Sequence, residues 1–176
     1  MILQYFSQPV YISDFDSSLI ELNYKLDKKW ESNTITSFSN FNDLSKNSAD
    51  YLINEISKFT TNIIKKQHKI KLLDFWINEY YDKDFQEPHT HVPAHFSFTI
   101  MHKIPEGSGN LKFYNPYESV GFNHCDIYFN DFEINVKPPQ GENKILIWPA
   151  YIKHMVTPGT NKSKRATYSG NFNIVI

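Results

Sequence analysis

Lys71-Leu72-Leu73-Asp74-Phe75-Trp76-Ile77-Asn78-Glu79-Tyr80-Tyr81, closed by Asp82-Lys83-Asp84, marks a change of pattern in the chain. The run is rich in aromatic and branched apolar residues and ends in a polar turn, so it reads as a strand. Strand candidates follow at 95–103, 110–114, 126–136, 143–148, 151–156 and 165–176. Between them stand Pro105-Glu-Gly-Ser-Gly109, Asn115-Pro116, Pro138-Pro-Gln-Gly141 and Pro158-Gly-Thr-Asn161, all strong turn chemistry. Many short strands without intervening helices argue for a sandwich or jelly roll and against a parallel α/β sheet.

Upstream of Lys69 the expectation is different. Residues 2–12 read as a first strand, with Pro9 near its edge. Ser13 or Asp14 can cap a helix on which Leu19, Leu22, Leu26 and Trp30 recur at helical spacing. The Ser-, Asn- and Thr-rich stretch 31–47 reads as a long surface loop. A second helix is expected from about Ser48, with Leu52, Ile56, Phe59 and Ile63 on its apolar face and Lys65-Lys66 suiting its C-terminal dipole. The chain therefore reads as one domain, with residues 1–68 a helical support and residues 69–176 a β core.

Size and composition agree with that outline. The chain has 176 residues, 40% hydrophobic and 21% charged, an ordinary balance for a globular protein with a sizeable core. Aromatic residues reach 16%, mostly in the short alternating runs that favour strands. A net charge of −1 leaves no electrostatic footprint for coating nucleic acid. Cys125 is the single cysteine, which excludes an internal disulfide and any cysteine-rich zinc module. Met1-Ile-Leu-Gln-Tyr-Phe6 lacks the basic start and apolar core of a signal peptide, and no apolar run approaches a membrane span. The expectation is a cytoplasmic protein, in a host cytoplasm if phage-encoded. The Asn-, Lys- and Ile-rich composition suits an AT-rich genome.

The chemistry is concentrated in Gln86-Glu87-Pro88-His89-Thr90-His91. Two imidazoles two positions apart point to one face of extended backbone. His154 stands far downstream, in Trp148-Pro-Ala-Tyr-Ile-Lys-His154. Three imidazoles suit iron, zinc, copper or nickel, although a His-x-His pair is also compatible with two surface histidines in a loop. His95 is a competing ligand, while His68, His102 and His124 have no comparable arrangement. In the last segment, alternation puts Arg165, Thr167, Ser169 and Asn171 on one side of a strand. That polar face either lines a wet pocket or is an ordinary exposed face. A guanidinium with a hydroxyl two residues on can hold a carboxylate. Asn78 and Tyr80 share a face upstream and could bond an acid ligand, or serve simply as strand and turn residues.

Trp76-x-Asn78, Gln86-Glu-Pro-His89-Thr-His91, Pro105-Glu-Gly-Ser-Gly109, Trp148-Pro, His154 and Arg165-x-Thr167 together resemble the Fe(II)/2-oxoglutarate-dependent oxygenases, in particular small members found in bacteria and tailed phages. The resemblance covers residues 70–176 and implies a mainly β fold, a double-stranded β-helix (jelly roll, cupin-like) preceded by helices. It implies a dioxygenase that hydroxylates a substrate with Fe(II), 2-oxoglutarate as small-molecule cosubstrate, and O2. It matches His89 and His154 to the two metal-binding histidines, and Arg165 and Thr167 to the pair that holds the cosubstrate carboxylate. Asn78 and Tyr80 are similar in placement to the Asn-x-Tyr that contacts 2-oxoglutarate in the alkylation-repair demethylases. His91 departs from the pattern, since it stands where the superfamily usually has a carboxylate; the implied metal set is His89, His91 and His154.

Two other readings use the same residues. A cupin-like metal protein would employ the three histidines without 2-oxoglutarate. A non-catalytic jelly-roll module of a larger assembly, such as a virion, would leave them incidental. The primary substrate and the oligomeric state have no signature in the sequence, and the near-neutral charge leans against a long nucleic-acid substrate. Loops 31–47 and 115–125 are candidate lids.

Overall fold

The computed structural model describes residues 8–30, 32–38, 43–116 and 135–176. In chain order the elements are β1 (Tyr11–Asp14), a 3-10 turn (Ser17–Leu19), β2 (Leu22–Asn23), β3 (Lys28–Lys29), β4 (Ile35–Thr36), β5 (Asp43–Leu44) and α1 (Lys46–Ile63). Then come β6 (Lys69–Tyr80), β7 (Gln86–His89), β8 (Phe96–Lys103), β9 (Leu111–Tyr114), β10 (Asn135–Val136), β11 (Lys144–Pro149), β12 (His154–Val156) and β13 (Arg165–Val175). A seven-stranded antiparallel sheet has the order β1-β11-β8-β13-β6-β4-β3, and a four-stranded sheet the order β10-β9-β12-β7. The architecture is the expected jelly roll, a double-stranded β-helix.

The central strands of the large sheet are buried on both sides, and side-chain alternation gives each side its own task. Phe75 and Ile77 of β6, Phe98 and Ile100 of β8, Ile145 and Ile147 of β11, and Tyr168 and Phe172 of β13 form one apolar cluster with Leu52, Ile56 and Phe59 of α1. Each fully buried apolar side chain there contributes roughly 1.5–3 kcal/mol. Their neighbours in sequence point the other way, toward the small sheet. Leu146, Trp148 and Met101 meet Leu111, Phe113 and Ile152 in a second cluster. Beyond that cluster the inner face turns polar, with Asn78, Thr99, Arg165, Thr167 and Asn171 all buried.

Helix α1 starts where a serine can cap it. The Ser45 hydroxyl accepts from Ser48 N, while Ser48 Oγ donates to Leu19 O at 2.8 Å and so ties the helix to the segment before it. Leu52, Ile56 and Phe59 are buried as expected, but Ile63 at the last turn is exposed.

The helix expected from Ser13 or Asp14 to Trp30 is absent. Asp16 caps a single 3-10 turn, Ile20 is already extended, and β2 and β3 follow. Leu22 and Leu26 do pack against the apolar cluster, from strand and loop backbone instead of helix. Asn23, Asp27 and neighbouring polar residues have weak helix propensity, and pairing with β5 and β4 offers the backbone its hydrogen bonds. The stretch 31–47 is no plain surface loop either. Ser32, Thr34, Thr36 and Ser37 are buried, and β4 pairs with β6 on the edge of the large sheet. The expected first strand lies at Tyr11–Asp14 and pairs with β11; residues 1–7 fall outside the described residues, as do 117–134 with most of the 126–136 strand and the 115–125 lid candidate.

The turn Pro105–Gly109 interlocks with Pro158–Asn161. A Cβ on Gly109 would lie 1.8 Å from Thr157 O, and Gly107 has φ +78° while its carbonyl accepts from Thr160 N. These glycines bring two loops into backbone contact at the end of the barrel where β13 begins. Among the described residues, no helix is long and apolar enough to cross a membrane.

Candidate metal and cosubstrate site

Register brings His89 and His154 together. They are direct partners in the β7–β12 pair, but the next partners are Gln86 and Val156. Between these pairs Glu87 and Pro88 of β7 therefore oppose Met155 alone of β12, a bulge. Proline is tolerated there because β7 is an edge strand and the bulge needs no ladder donor. The extra residue breaks strict alternation, so Gln86 and His89 both face the cleft. His91 lies beyond the strand, where its N–H donates to Ala150 O at 2.9 Å and fixes the loop against the end of β11.

The three imidazoles converge. Ring centroids are 4.3 Å apart for His89 and His154, 4.9 Å for His89 and His91, and 5.0 Å for His91 and His154, with potential ligand nitrogens all within 4.8 Å of one another. His89 Nδ1 lies 2.6 Å from Glu87 O and His154 Nδ1 lies 3.0 Å from Ile152 O. A carbonyl only accepts, so each Nδ1 carries the proton and each Nε2 keeps its lone pair for a ligand. Burial pushes the pKa of His89 down, that of His91 down to about 4 and that of His154 well below the ordinary value, with charge on the neighbouring rings adding to the effect for the last two. All three are neutral at pH 7, the state that binds metal. Trp148 packs edge-on against His154 and Trp76 lies beside His91.

Across the cleft, the β13–β6 register pairs Arg165 with Tyr80 and Thr167 with Asn78. Four sequence-selected residues thus form a block on one face of two adjacent strands. Arg165 is 2% exposed, with its guanidinium 4.5 Å from the Tyr80 ring centroid. Its Nε and Nη1 have no hydrogen-bond partner, and Nη2 reaches only the Met101 sulfur at 3.9 Å. Among the described residues no carboxylate pairs with it. Burial holds the Arg165 pKa below its ordinary value and that of Tyr80 above its own, each opposed by the other. Asn78 Oδ1 is also buried and unpaired, whereas the Tyr80 hydroxyl donates to Gln86 Oε1 at 3.1 Å. The imidazoles and this block line one cleft.

Of the polar face read from the last segment, Ser169 also lines the cleft, while Asn171 instead joins Ser97 and Asp74 in a separate hydrogen-bonded group. His95 is excluded as a ligand: its Nδ1 accepts from Ile174 N and its backbone N–H donates to Asn173. His102 is bonded to Ser17, His68 to Thr60, and His124 lies outside the described residues. Gln86 and Trp148, which stood in the quoted motifs without a site role, line the cleft, as does Thr99. For Gln86 a signal existed, since it opens the histidine stretch; the bulge that turns it inward has no sequence signature of its own.

The sequence matches the model of a family described as "Putative 2OG-Fe(II) oxygenase" over residues 74–172. Among curated proteins, no sequence matches. Solved structures of similar fold include a complex of HygX from Streptomyces hygroscopicus with nickel, 2-oxoglutarate and hygromycin B, at TM-score 0.61 and 8% identity, covering 94% of this chain and 83% of that one. A 2OG-Fe(II) oxygenase family oxidoreductase from Burkholderia pseudomallei has TM-score 0.55 and 9% identity, covering 96% and 72%. The viral collagen prolyl hydroxylase of Paramecium Bursaria Chlorella virus-1, in complex with 2OG, has TM-score 0.55 and 11% identity, covering 81% and 80%. At these identities the likeness is one of fold.

Proposed function

The chain belongs to the 2OG-Fe(II) oxygenase family, and from that premise we propose that His89, His91 and His154 hold the iron while Arg165 and Thr167 hold the far carboxylate of 2-oxoglutarate. The observation that carries this reading is Arg165: a buried guanidinium with two unpaired donors, in the same cleft as three converging neutral imidazoles. Burying an unpaired charge costs several kcal/mol, which a bidentate carboxylate would offset. The donor set fits the metal as well, because two of the imidazoles are held in the ligating tautomer by their own backbone.

When bound, the metal and the diacid supply oxidative chemistry, in which O2 is consumed, 2-oxoglutarate loses CO2 to become succinate, and one oxygen atom goes to the substrate. The chain's own residues position and shield. Arg165 and the Thr167 hydroxyl fix one end of the diacid, Asn78 Oδ1 and Tyr80 border it, and Trp76 and Trp148 keep water from the imidazoles. No side chain moves a proton in this scheme. The cleft beside Arg165 leaves about 30 Å3, space on the scale of a water molecule. A five-carbon diacid therefore enters by displacing side chains, and Gln86, reaching across to Tyr80, is the one placed to withdraw.

His91 gives the site its peculiarity. An imidazole in place of the usual carboxylate leaves the metal's two positive charges to be balanced by the cosubstrate, and loosens the preference for iron over zinc or copper. That imidazole equally suits a cupin-like three-histidine metal protein. Anaerobic titration with Fe(II) and then 2-oxoglutarate separates the two. The oxygenase reading expects a weak visible charge-transfer band that is lost in His89→Ala and weakened in Arg165→Ala. Metal binding without the band would favour the cupin-like reading.

A further inference from the structure

A second cavity, of about 270 Å3, opens on the other side of His89 and His91. Three aromatic residues line it, Trp30 and Phe38 from the N-terminal segment and Trp76 from β6. Trp30 lies 5.4 Å from Phe38, and Phe38 packs edge-on 4.9 Å from Trp76, which in turn lies beside His91. On the histidine side stands Glu87, the one carboxylate of the lining among the described residues, within the β7 bulge. Trp30 and Trp76 both keep an indole N–H buried without a partner, and Trp76 is 3% exposed.

We propose that this cavity is the primary-substrate pocket and that it selects a small organic cation, an alkylammonium compound. The inference rests on the oxygenase reading above. The electron-rich faces of two indoles and a phenyl ring attract an alkylammonium group, and a nearby carboxylate adds to that attraction. Arg165, the other charge of the site, lies in the first cleft under Tyr80 and outside this lining. The volume suits one small molecule or one side chain and is too small for a folded partner or a duplex. The position beside the imidazoles puts a C–H bond of the occupant next to the metal. The N-terminal segment is thus a specificity element, since it brings Trp30 and Phe38 to the cavity.

The test uses protein loaded anaerobically with Fe(II) and 2-oxoglutarate, and follows tryptophan fluorescence during titration with choline and, separately, with its neutral isostere 3,3-dimethyl-1-butanol. Choline is expected to bind at least ~10-fold more tightly than the alcohol. Glu87→Gln should erase most of that preference, and Trp30→Leu should weaken choline at least ~5-fold. Equal binding of the two probes, no binding of either, or a preference that survives Glu87→Gln overturns the proposal. The charge-transfer band, recorded on the same samples, keeps the two failures apart. Its presence without charge preference sinks the cation pocket alone, and its absence with charge preference intact sinks the oxygenase site on which the word substrate depends.

Discussion

The two sheets face each other across the cleft and solve opposite electrostatic problems. The small sheet and the loop after it present three imidazoles, whose burial costs little because they stay neutral and because His89 and His154 are bonded to carbonyls two residues away. The large sheet presents a guanidinium that cannot become neutral and has no counterion among the described residues, resting on the face of Tyr80. The first arrangement is self-sufficient without a ligand; the second is held in a costly state by the rest of the fold. Polar groups that are satisfied locally and those imposed by tertiary packing should therefore respond differently to substitution.

The largest effect is expected on the small-sheet side. His154→Ala should weaken metal binding by more than ~100-fold in a chelator competition, and a variant within tenfold of the parent would break the assignment of the triad. Arg165→Met sharpens the contrast from the other side. It should weaken 2-oxoglutarate by roughly 2–5 kcal/mol with metal affinity unchanged, yet leave the ligand-free protein as stable as before or more so by about 1–4 kcal/mol. A thermal melt showing strong destabilisation would mean that Arg165 is a structural residue.

The metal-free protein should also lose stability as pH falls. The folded imidazoles have depressed pKa values, so the unfolded chain takes up protons first, from about 6.5 downward. For His91, whose pKa is lowered to about 4, the loss by that pH is on the order of 3 kcal/mol. Urea titrations at pH 7, 6 and 5 should show the midpoint falling, and falling less once metal is bound. A flat profile would contradict the burial of the cluster. The smallest effect is expected from Thr167→Val, which removes one hydroxyl from the carboxylate site. It should raise the cosubstrate KM by roughly 3–10-fold, the worth of one hydrogen bond, with little change in stability.

The parts of the protein legible in sequence were those whose signal is local. The strand run from Lys71 and the later strands with their Pro- and Gly-rich turns were readable, since side-chain alternation and turn chemistry need no partner to show themselves. So was the set His89, His91, His154, Arg165 and Thr167, which the fold gathers in one cleft, because imidazole and guanidinium at those spacings mark candidates wherever the chain goes. The segment before Ser45 was misread for the complementary reason. Leu19, Leu22, Leu26 and Trp30 have helical spacing, but pairing of β2 with β5 and of β3 with β4 supplied competing hydrogen bonds from residues far along the chain.

By itself the sequence determined that this is a β-rich chain with three candidate metal ligands and a basic residue placed to meet an acid, because residue type and period two are properties of the chain alone. Tertiary structure decided how these meet. The β7 bulge turns Gln86 as well as His89 into the cleft, the β13–β6 register sets Arg165 against Tyr80 and Thr167 against Asn78, and the N-terminal segment carries Trp30 and Phe38 to the histidines. Each of these depends on which distant backbone a strand pairs with, and that choice is made by the burial of the whole sheet, which no local stretch encodes.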